Sequence, residues 1–319
     1  MLIAFAAMAF VAAMVIINDD DDDTTADEQT LIPDEELVDE NGLTPWGVAS
    51  EAATEGDDVL IGTSSDDTYF ANDGSDTVAG EDGDDRLFGN EGNDYLIGGE
   101  GDDFERGGLG ADILSGGSGD DHLIGDAQGD ILHGGDGDDT LEGGDGRDYL
   151  IGNSGADSLT GGDGSDELFG GQAFEKSLTD EEFSQSVSNL EDEGYPDFFR
   201  PVFLNREDDG YQDTLDGGGG IDYLFINDGD IATGGEGNDE FFLMDGEGDE
   251  TATITDFDVD EDLLVYVHDE GTEQPALNLV DNGDGTQTLF ADGKAVSVIN
   301  SMELNVSDIN VFARFVPPA

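Results

Sequence analysis

Between Gly56 and Gly171 the chain repeats itself every nine residues, and each block reads close to G-G-x-G-x-D-x-U-x, with U apolar. The fullest copies are Gly98-Gly99-Glu100-Gly101-Asp102-Asp103, Gly116-Gly117-Ser118-Gly119-Asp120-Asp121 and Gly134-Gly135-Asp136-Gly137-Asp138-Asp139. The sixth position is aspartate in thirteen successive blocks: Asp58, Asp67, Asp76, Asp85, Asp94, Asp103, Asp112, Asp121, Asp130, Asp139, Asp148, Asp157 and Asp166. The eighth is apolar in twelve of them, from Leu60 to Leu168, and Glu105 is the exception.

Such a period dictates a stacked architecture. Clustered glycines permit positive φ and sharp turns. The three or so residues after each turn can extend as a very short strand, in which neighbouring side chains point to opposite faces. The eighth residue then points inward, and the seventh and ninth point out. One turn and one strand make half a coil, so two blocks close it. Residues eighteen apart stack, about 4.8 Å from coil to coil. Asp58, Asp76, Asp94, Asp112, Asp130, Asp148 and Asp166 form one column; Asp67, Asp85, Asp103, Asp121, Asp139 and Asp157 form the other. Carboxylates stacked so closely repel unless a cation lies between them. Calcium takes about six to eight oxygens in flexible geometry. Aspartate oxygens and carbonyls freed by the turns supply such a shell. The candidate carbonyl donors are Gly99, Gly101, Gly108, Gly110, Gly117, Gly119, Gly135, Gly137, Gly144 and Gly146. Six and five adjacent aspartate pairs set a ceiling of eleven ions in this block.

These blocks resemble the RTX family of secreted bacterial proteins, the hemolysin-type calcium-binding repeats. The resemblance implies an all-β fold, a parallel β-roll with calcium in both rows of turns, and export through a type I secretion system. A disordered Gly/Asp-rich linker would need no apolar residue at a fixed place in every block.

Composition agrees. Eight basic side chains face 81 acidic ones, for a net charge of −73. Self-repulsion on that scale opposes compaction, and bound divalent ions would cancel part of it. Nucleic acid is excluded as a partner, because it needs a basic surface. There are no cysteines, so ions must replace disulfides as staples, and a calcium requirement points to an extracellular setting.

In chain order, residues 1–17 are apolar without Lys or Arg, a signal-like segment or a membrane anchor. Residues 18–54 read as an acidic disordered linker carrying Trp46. Residues 55–172 are the roll; its first blocks have lost turn glycines, as end repeats do, and Gln128 stands where glycine belongs, which puts the sites of that turn in doubt. Residues 173–212 are an insertion, with a helix start at Thr179–Phe183 and an aromatic stretch at Tyr195–Phe203 that folds back on the roll or meets a partner. Residues 213–242 form a second, less regular set of coils, with Asp213, Asp222, Asp230 and Asp239 as further metal ligands; Asp230 falls eight residues after Asp222, not nine. Residues 243–319 read as a β-rich cap with hairpin turns at Asp281–Gly285 and Asp292-Gly293. Ile254, Asp256, Phe257, Asp262 and Leu264 form an I-x-D-F-x-x-x-x-D-x-L signature that resembles the region after the repeats in RTX proteins. There, the resemblance implies, the roll is completed and the C-terminal end carries an uncleaved export signal. Val311, Phe312 and Phe315 fit that loosely.

Competing chemistry finds little support. Asp256–Asp260 imitates an EF-hand start, but Glu261 stands where glycine belongs and Val267 occupies the twelfth place. No H-E-x-x-H, G-x-S-x-G or Walker A motif occurs. His122 and His133 are expected on the solvated face. Glu105 replaces an inward leucine, so it is expected to weaken the roll unless the register slips and turns Phe104 inward; Arg106 should point the other way. The expected function is that of a non-enzymatic, calcium-loaded secreted or cell-surface protein, with the type I machinery and a surface or protein target as partners. The alternative is a secreted hydrolase whose catalytic site lies in the insertion or the C-terminal region.

Overall fold

The computed structural model describes residues 53–171, 210–244, 250–269, 273–301 and 304–314, all in one compact unit. The expectations for residues 1–17, Trp46, the helix start at Thr179, the aromatic stretch 195–203 and Phe315 lie outside the described residues.

The strands are β1 (Val59–Ile61), β2 (Thr68–Asp73), β3 (Thr77–Asp82), β4 (Arg86–Glu91), β5 (Tyr95–Glu100), β6 (Phe104–Leu109), β7 (Ile113–Ser118), β8 (His122–Ala127), β9 (Ile131–Asp136), β10 (Thr140–Gly146), β11 (Tyr149–Ser154), β12 (Ser158–Gly164) and β13 (Glu167–Phe169) in the main block. After the insertion come β14 (Thr214–Gly220), β15 (Tyr223–Ile226), β16 (Ile231–Gly237), β17 (Glu240–Met244), β18 (Ala252–Ile254), β19 (Leu263–Asp269), β20 (Leu277–Asp281), β21 (Gln287–Ala291), β22 (Lys294–Ile299) and β23 (Ile309–Arg314). Odd strands β1 to β19 and then β23 form one sheet; even strands β2 to β18 followed by β22, β21 and β20 form the other. Pairing in the main block is parallel and joins residues eighteen apart, such as Val78 with Leu96 and Leu96 with Leu114. The fold is a parallel β-roll.

Most strands of the main block are six or seven residues long, twice the expected length. The first glycine of each block continues the strand instead of opening the turn. Positive φ is confined to the second and fourth positions, for example 128° at Gly99 and 137° at Gly101. Gln128 adopts φ 81° at such a fourth position, at a cost of about 1–2 kcal/mol for a residue with a Cβ. The turn survives: Gln128 N–H donates to the Asp145 carbonyl at 2.7 Å, and Asp130 keeps its place in the column.

The core is made of two files of eighth-position side chains, one from each sheet, packed into one cluster. Leu87, Leu96, Leu114, Leu123, Leu132, Leu141 and Leu150 are all fully buried, each contributing about 1.5–3 kcal/mol by leaving water. The insertion does not break the stack. β12 pairs directly with β14 and β13 with β15, so the chain resumes in register. The next coil is shortened to seventeen residues, which accounts for the displaced Asp230. At the far end the mode of pairing changes. β19 and β23 extend one sheet in parallel, whereas β22, β21 and β20 extend the other as antiparallel hairpins through the turns read from the sequence.

Glu105 sits in one core file, paired with Leu87 on one side and Leu123 on the other. No register slip relieves it. Phe104 stays outside, in a ladder with Phe88 and His122, and Arg106 points out to bind Asp126. The Glu105 carboxyl is fully buried and neither oxygen has a hydrogen-bond partner. Burial, then repulsion from Asp121 and Asp103, holds its pKa well above the usual range; the nearby Gly98 and Ser115 amides, neither in hydrogen-bonding geometry with the carboxyl, offset this only in part. An unsatisfied buried polar group costs about 1–3 kcal/mol. Glu105→Leu is therefore expected to stabilise the roll by roughly 2 kcal/mol or more, read as a higher thermal midpoint in calcium. An unchanged or lower midpoint would show that the carboxyl has a compensating partner.

Candidate metal centre

Each sixth-position aspartate ties two coils together. Its backbone N–H donates to Oδ1 of the aspartate one coil on, at 2.7–3.1 Å along both columns. One column runs from Asp58 through Asp166 to Asp222, Asp239 and finally Asp262. The other runs from Asp67 through Asp157 to Asp213 and Asp230. Insertion notwithstanding, Asp157 N–H reaches Asp213 Oδ1 at 2.9 Å across 56 residues of sequence.

The second oxygen is the unusual one. Among the described residues, Oδ2 is buried without a hydrogen-bond partner in eleven aspartates: Asp76, Asp85, Asp94, Asp103, Asp112, Asp121, Asp130, Asp139, Asp148, Asp166 and Asp222. Apart from Asp76, whose block begins with Ala71, each looks onto the first glycine of its own block. A Cβ on Gly80 would strike Asp85 Oδ2 and also lie 2.7 Å from the Gly98 carbonyl oxygen; one on Gly98 would strike Asp103 Oδ2 and lie 2.7 Å from the Gly116 carbonyl. The first-position glycines thus keep open a space faced by a carboxylate and a main-chain carbonyl. Sequence reasoning missed them, selecting the second and fourth positions instead. Gly99, Gly101, Gly108, Gly110, Gly117, Gly119, Gly135, Gly137 and Gly144 do take positive φ, whereas Gly146 is not among the positive-φ glycines. The carbonyls of Gly99 and Gly101 face Gly117 and Gly119 one coil on, where a side chain would collide with them.

The column ends differ from the interior. Asp58 Oδ2 accepts from the N–H and hydroxyl of Thr54, and Asp67 Oδ2 from those of Thr63 at 2.7 and 2.9 Å. At the other end Asn227 N–H donates to Asp230 Oδ2 and Asp258 N–H to Asp262 Oδ2, both at 2.7 Å. Asp58, Asp67 and Asp230 therefore already have protein partners for Oδ2, unlike the eleven aspartates named above. Asp239 lies in its column through Oδ1. Asp262, the aspartate of the C-terminal signature, is a column terminus that its spacing had marked without revealing its role.

No three His, Cys, Asp or Glu side chains converge among the described residues. A cation held here must draw on carboxylate and main-chain oxygens together. That donor set suits a hard ion with flexible coordination, which is calcium rather than zinc or magnesium. The orphaned oxygens and the glycine cradles fit it.

Without such an ion the carboxyls resist ionisation. Burial, opposed by the donated N–H and reinforced by neighbouring carboxylates, pushes Asp121 up to about 8 and Asp130 to about 9. Asp112 and Asp139 rise to about 7, and Asp94 and Asp103 to about 6, burial again leading. His122 lies on the outer face, its Nε2 3.3 Å from Glu142 Oε1. His133 departs from expectation: it is half-buried, bonded to Asn153, and burial lowers it to about 4.

A parallel β-roll with columns of unsatisfied carboxylates at its turns defines a class of cation-stacked solenoids. The family comparison is specific. Four consecutive matches to the RTX calcium-binding nonapeptide repeat cover residues 52–78, 70–105, 106–141 and 142–173, so that block is built of these repeats. No curated protein matches the chain.

The raised carboxyls give the metal-free roll a defined pH response. A group whose pKa is raised by folding contributes stability fully present below its unfolded value near 4 and lost as pH rises through its folded value. Metal-stripped protein is therefore expected to show more β-structure by circular dichroism at about pH 4 than at pH 8, with loss spread over the window of about 6–9 set by Asp94, Asp121 and Asp130. Greatest order at pH 8 would contradict this.

Proposed function

We propose that this chain is a non-enzymatic secreted or cell-surface protein whose roll forms when extracellular calcium is bound. The observation that carries the reading is the set of eleven buried, unpartnered Oδ2 atoms. No folded chain at neutral pH tolerates that many desolvated carboxylates without compensation. In this reading the interior aspartates and the facing main-chain carbonyls hold the ions, while Asp58, Asp67, Asp230 and Asp262 close the columns through protein hydrogen bonds. The strands alone cannot sustain the roll, since fixing each backbone residue costs about 1–2 kcal/mol and each nine-residue block buries one inward side chain. Binding and folding then become one process, and neighbouring coils assist one another as in other solenoids. Extracellular calcium modules work at roughly 10⁻⁴–10⁻³ M, a range that would keep the chain unfolded before export.

Circular dichroism during a calcium titration is expected to show β-structure appearing with a Hill slope above one, with little response to equal magnesium. Asp121→Ala, which removes an interior oxygen, should raise the midpoint several-fold; Asp58→Ala, at a capped end, should do less. A cooperative β-fold in excess chelator at neutral pH would overturn the reading.

Export is assigned to the type I route through the C-terminal region, on the strength of the family resemblance. Deleting the residues after Asn300 should trap the protein in the cell. Secretion that survives this deletion but fails without residues 1–17 would assign the signal to the other end.

A further inference from the structure

The two rows of turns are not equivalent. The difference lies at the fifth position, beside each stacked aspartate. In the row that begins at Asp67, five consecutive coils carry Asp66, Asp84, Asp102, Asp120 and Asp138. Each Oδ1 accepts from the backbone N–H of the fifth residue one coil on, at 2.9–3.2 Å. In the row that begins at Asp58 the corresponding residues are Asp57, Ser75, Asn93, Ala111, Gly129 and Arg147.

Asn93 shows that the hydrogen bond does not need the charge. Its Oδ1 accepts from Ala111 N–H at 3.0 Å, as the aspartates do. The five carboxylates therefore add charge beyond what stacking requires. Positions two to five of the six turns leading from Asp67 to Asp157 hold nine acids and no base; the six leading from Asp76 to Asp166 hold five acids and Arg147. One of those five, Asp126, is paired with Arg106, and Arg147 itself binds Glu167 at 2.7 Å beside Asp148.

We infer that the Asp67 row binds calcium more tightly than the Asp58 row and fills first, because its unbroken run of five fifth-position carboxylates, against Asp57 alone in the other row, deepens the negative potential along that edge. The inference rests on the calcium reading above. In a filled row each such carboxylate meets two positive charges against one stacked negative charge, so it favours the loaded state. The main block thus loads in two stages, one edge and then the other. The first row sets the calcium threshold for order, and the second completes it.

Isothermal calorimetry of calcium binding to the full chain tests this. The native protein should show two classes of site. Replacing Asp84, Asp102, Asp120 and Asp138 together by Asn keeps the acceptors and should raise the midpoint of the tighter class at least about threefold in 0.1 M salt. A control, Glu273→Gln with Asp281→Asn, Asp284→Asn and Asp292→Asn, removes as many charges at the C-terminal hairpin and should leave it unmoved. Conversely, Ser75→Asp with Asn93→Asp should tighten the weaker class. One class in the native protein that the fourfold Asn variant does not shift, or an equal shift in the control, overturns the inference while leaving calcium binding intact. Absence of calcium binding in every variant would instead remove the reading on which it rests.

Discussion

Each coil is joined to the next by a buried carboxylate that is only half satisfied. Oδ1 takes an N–H from the neighbouring coil, and Oδ2 is left facing a glycine and a carbonyl. Around that bond everything else is arranged. The strand before the aspartate must end in a turn tight enough to present the carbonyl, which requires positive φ. The strand after it must bury one side chain, which sets the nine-residue period. Taken alone, the desolvated oxygen opposes folding. The roll and its calcium-binding repeats are two consequences of one geometry.

Because stacking is local, defects stay local. Gln128 bears the strain of a left-handed turn and its column continues. Glu105 buries a carboxyl among leucines and its strand keeps register. Between β13 and β14 the sequence leaves the roll and returns with both columns unbroken. A solenoid tolerates this because each coil answers only to its neighbours. A globular core, where every side chain touches many others, would transmit each defect.

The ends need another solution, since a stack has two open faces. Thr54 and Thr63 supply N–H and hydroxyl groups to the first aspartates, and Asn227 and Asp258 supply N–H groups to the last ones. Asp256 receives the Gly234 and Gly235 amides at 3.0 and 2.9 Å. The antiparallel hairpins of β20, β21 and β22 then carry one sheet past the final coil. Hydrogen bonds thus satisfy at the termini the second carboxylate oxygen that the column interior leaves open.

Periodicity alone determined the roll, the two columns, the inward files of leucines and the anomaly of Glu105, because each depends only on spacing along the chain. The hairpin turns near Asp281 and Asp292 were equally legible, since their chemistry is local. Tertiary structure decided which glycine faces the orphaned oxygen. That depends on φ at each position: the first glycine of a block stays extended and continues the strand, and the second and fourth turn. It also decided that Asp58, Asp67 and Asp230 are capped by protein donors and that Asp262 closes a column, because a hydrogen bond to Oδ2 joins residues whose meeting no spacing rule states. The half-burial of His133 belongs with these, since the nonapeptide places it on the outer face and only the structure shows its bond to Asn153. A repeat specifies what each unit does to the next one, whereas the exceptions are set chiefly where the stack starts or stops.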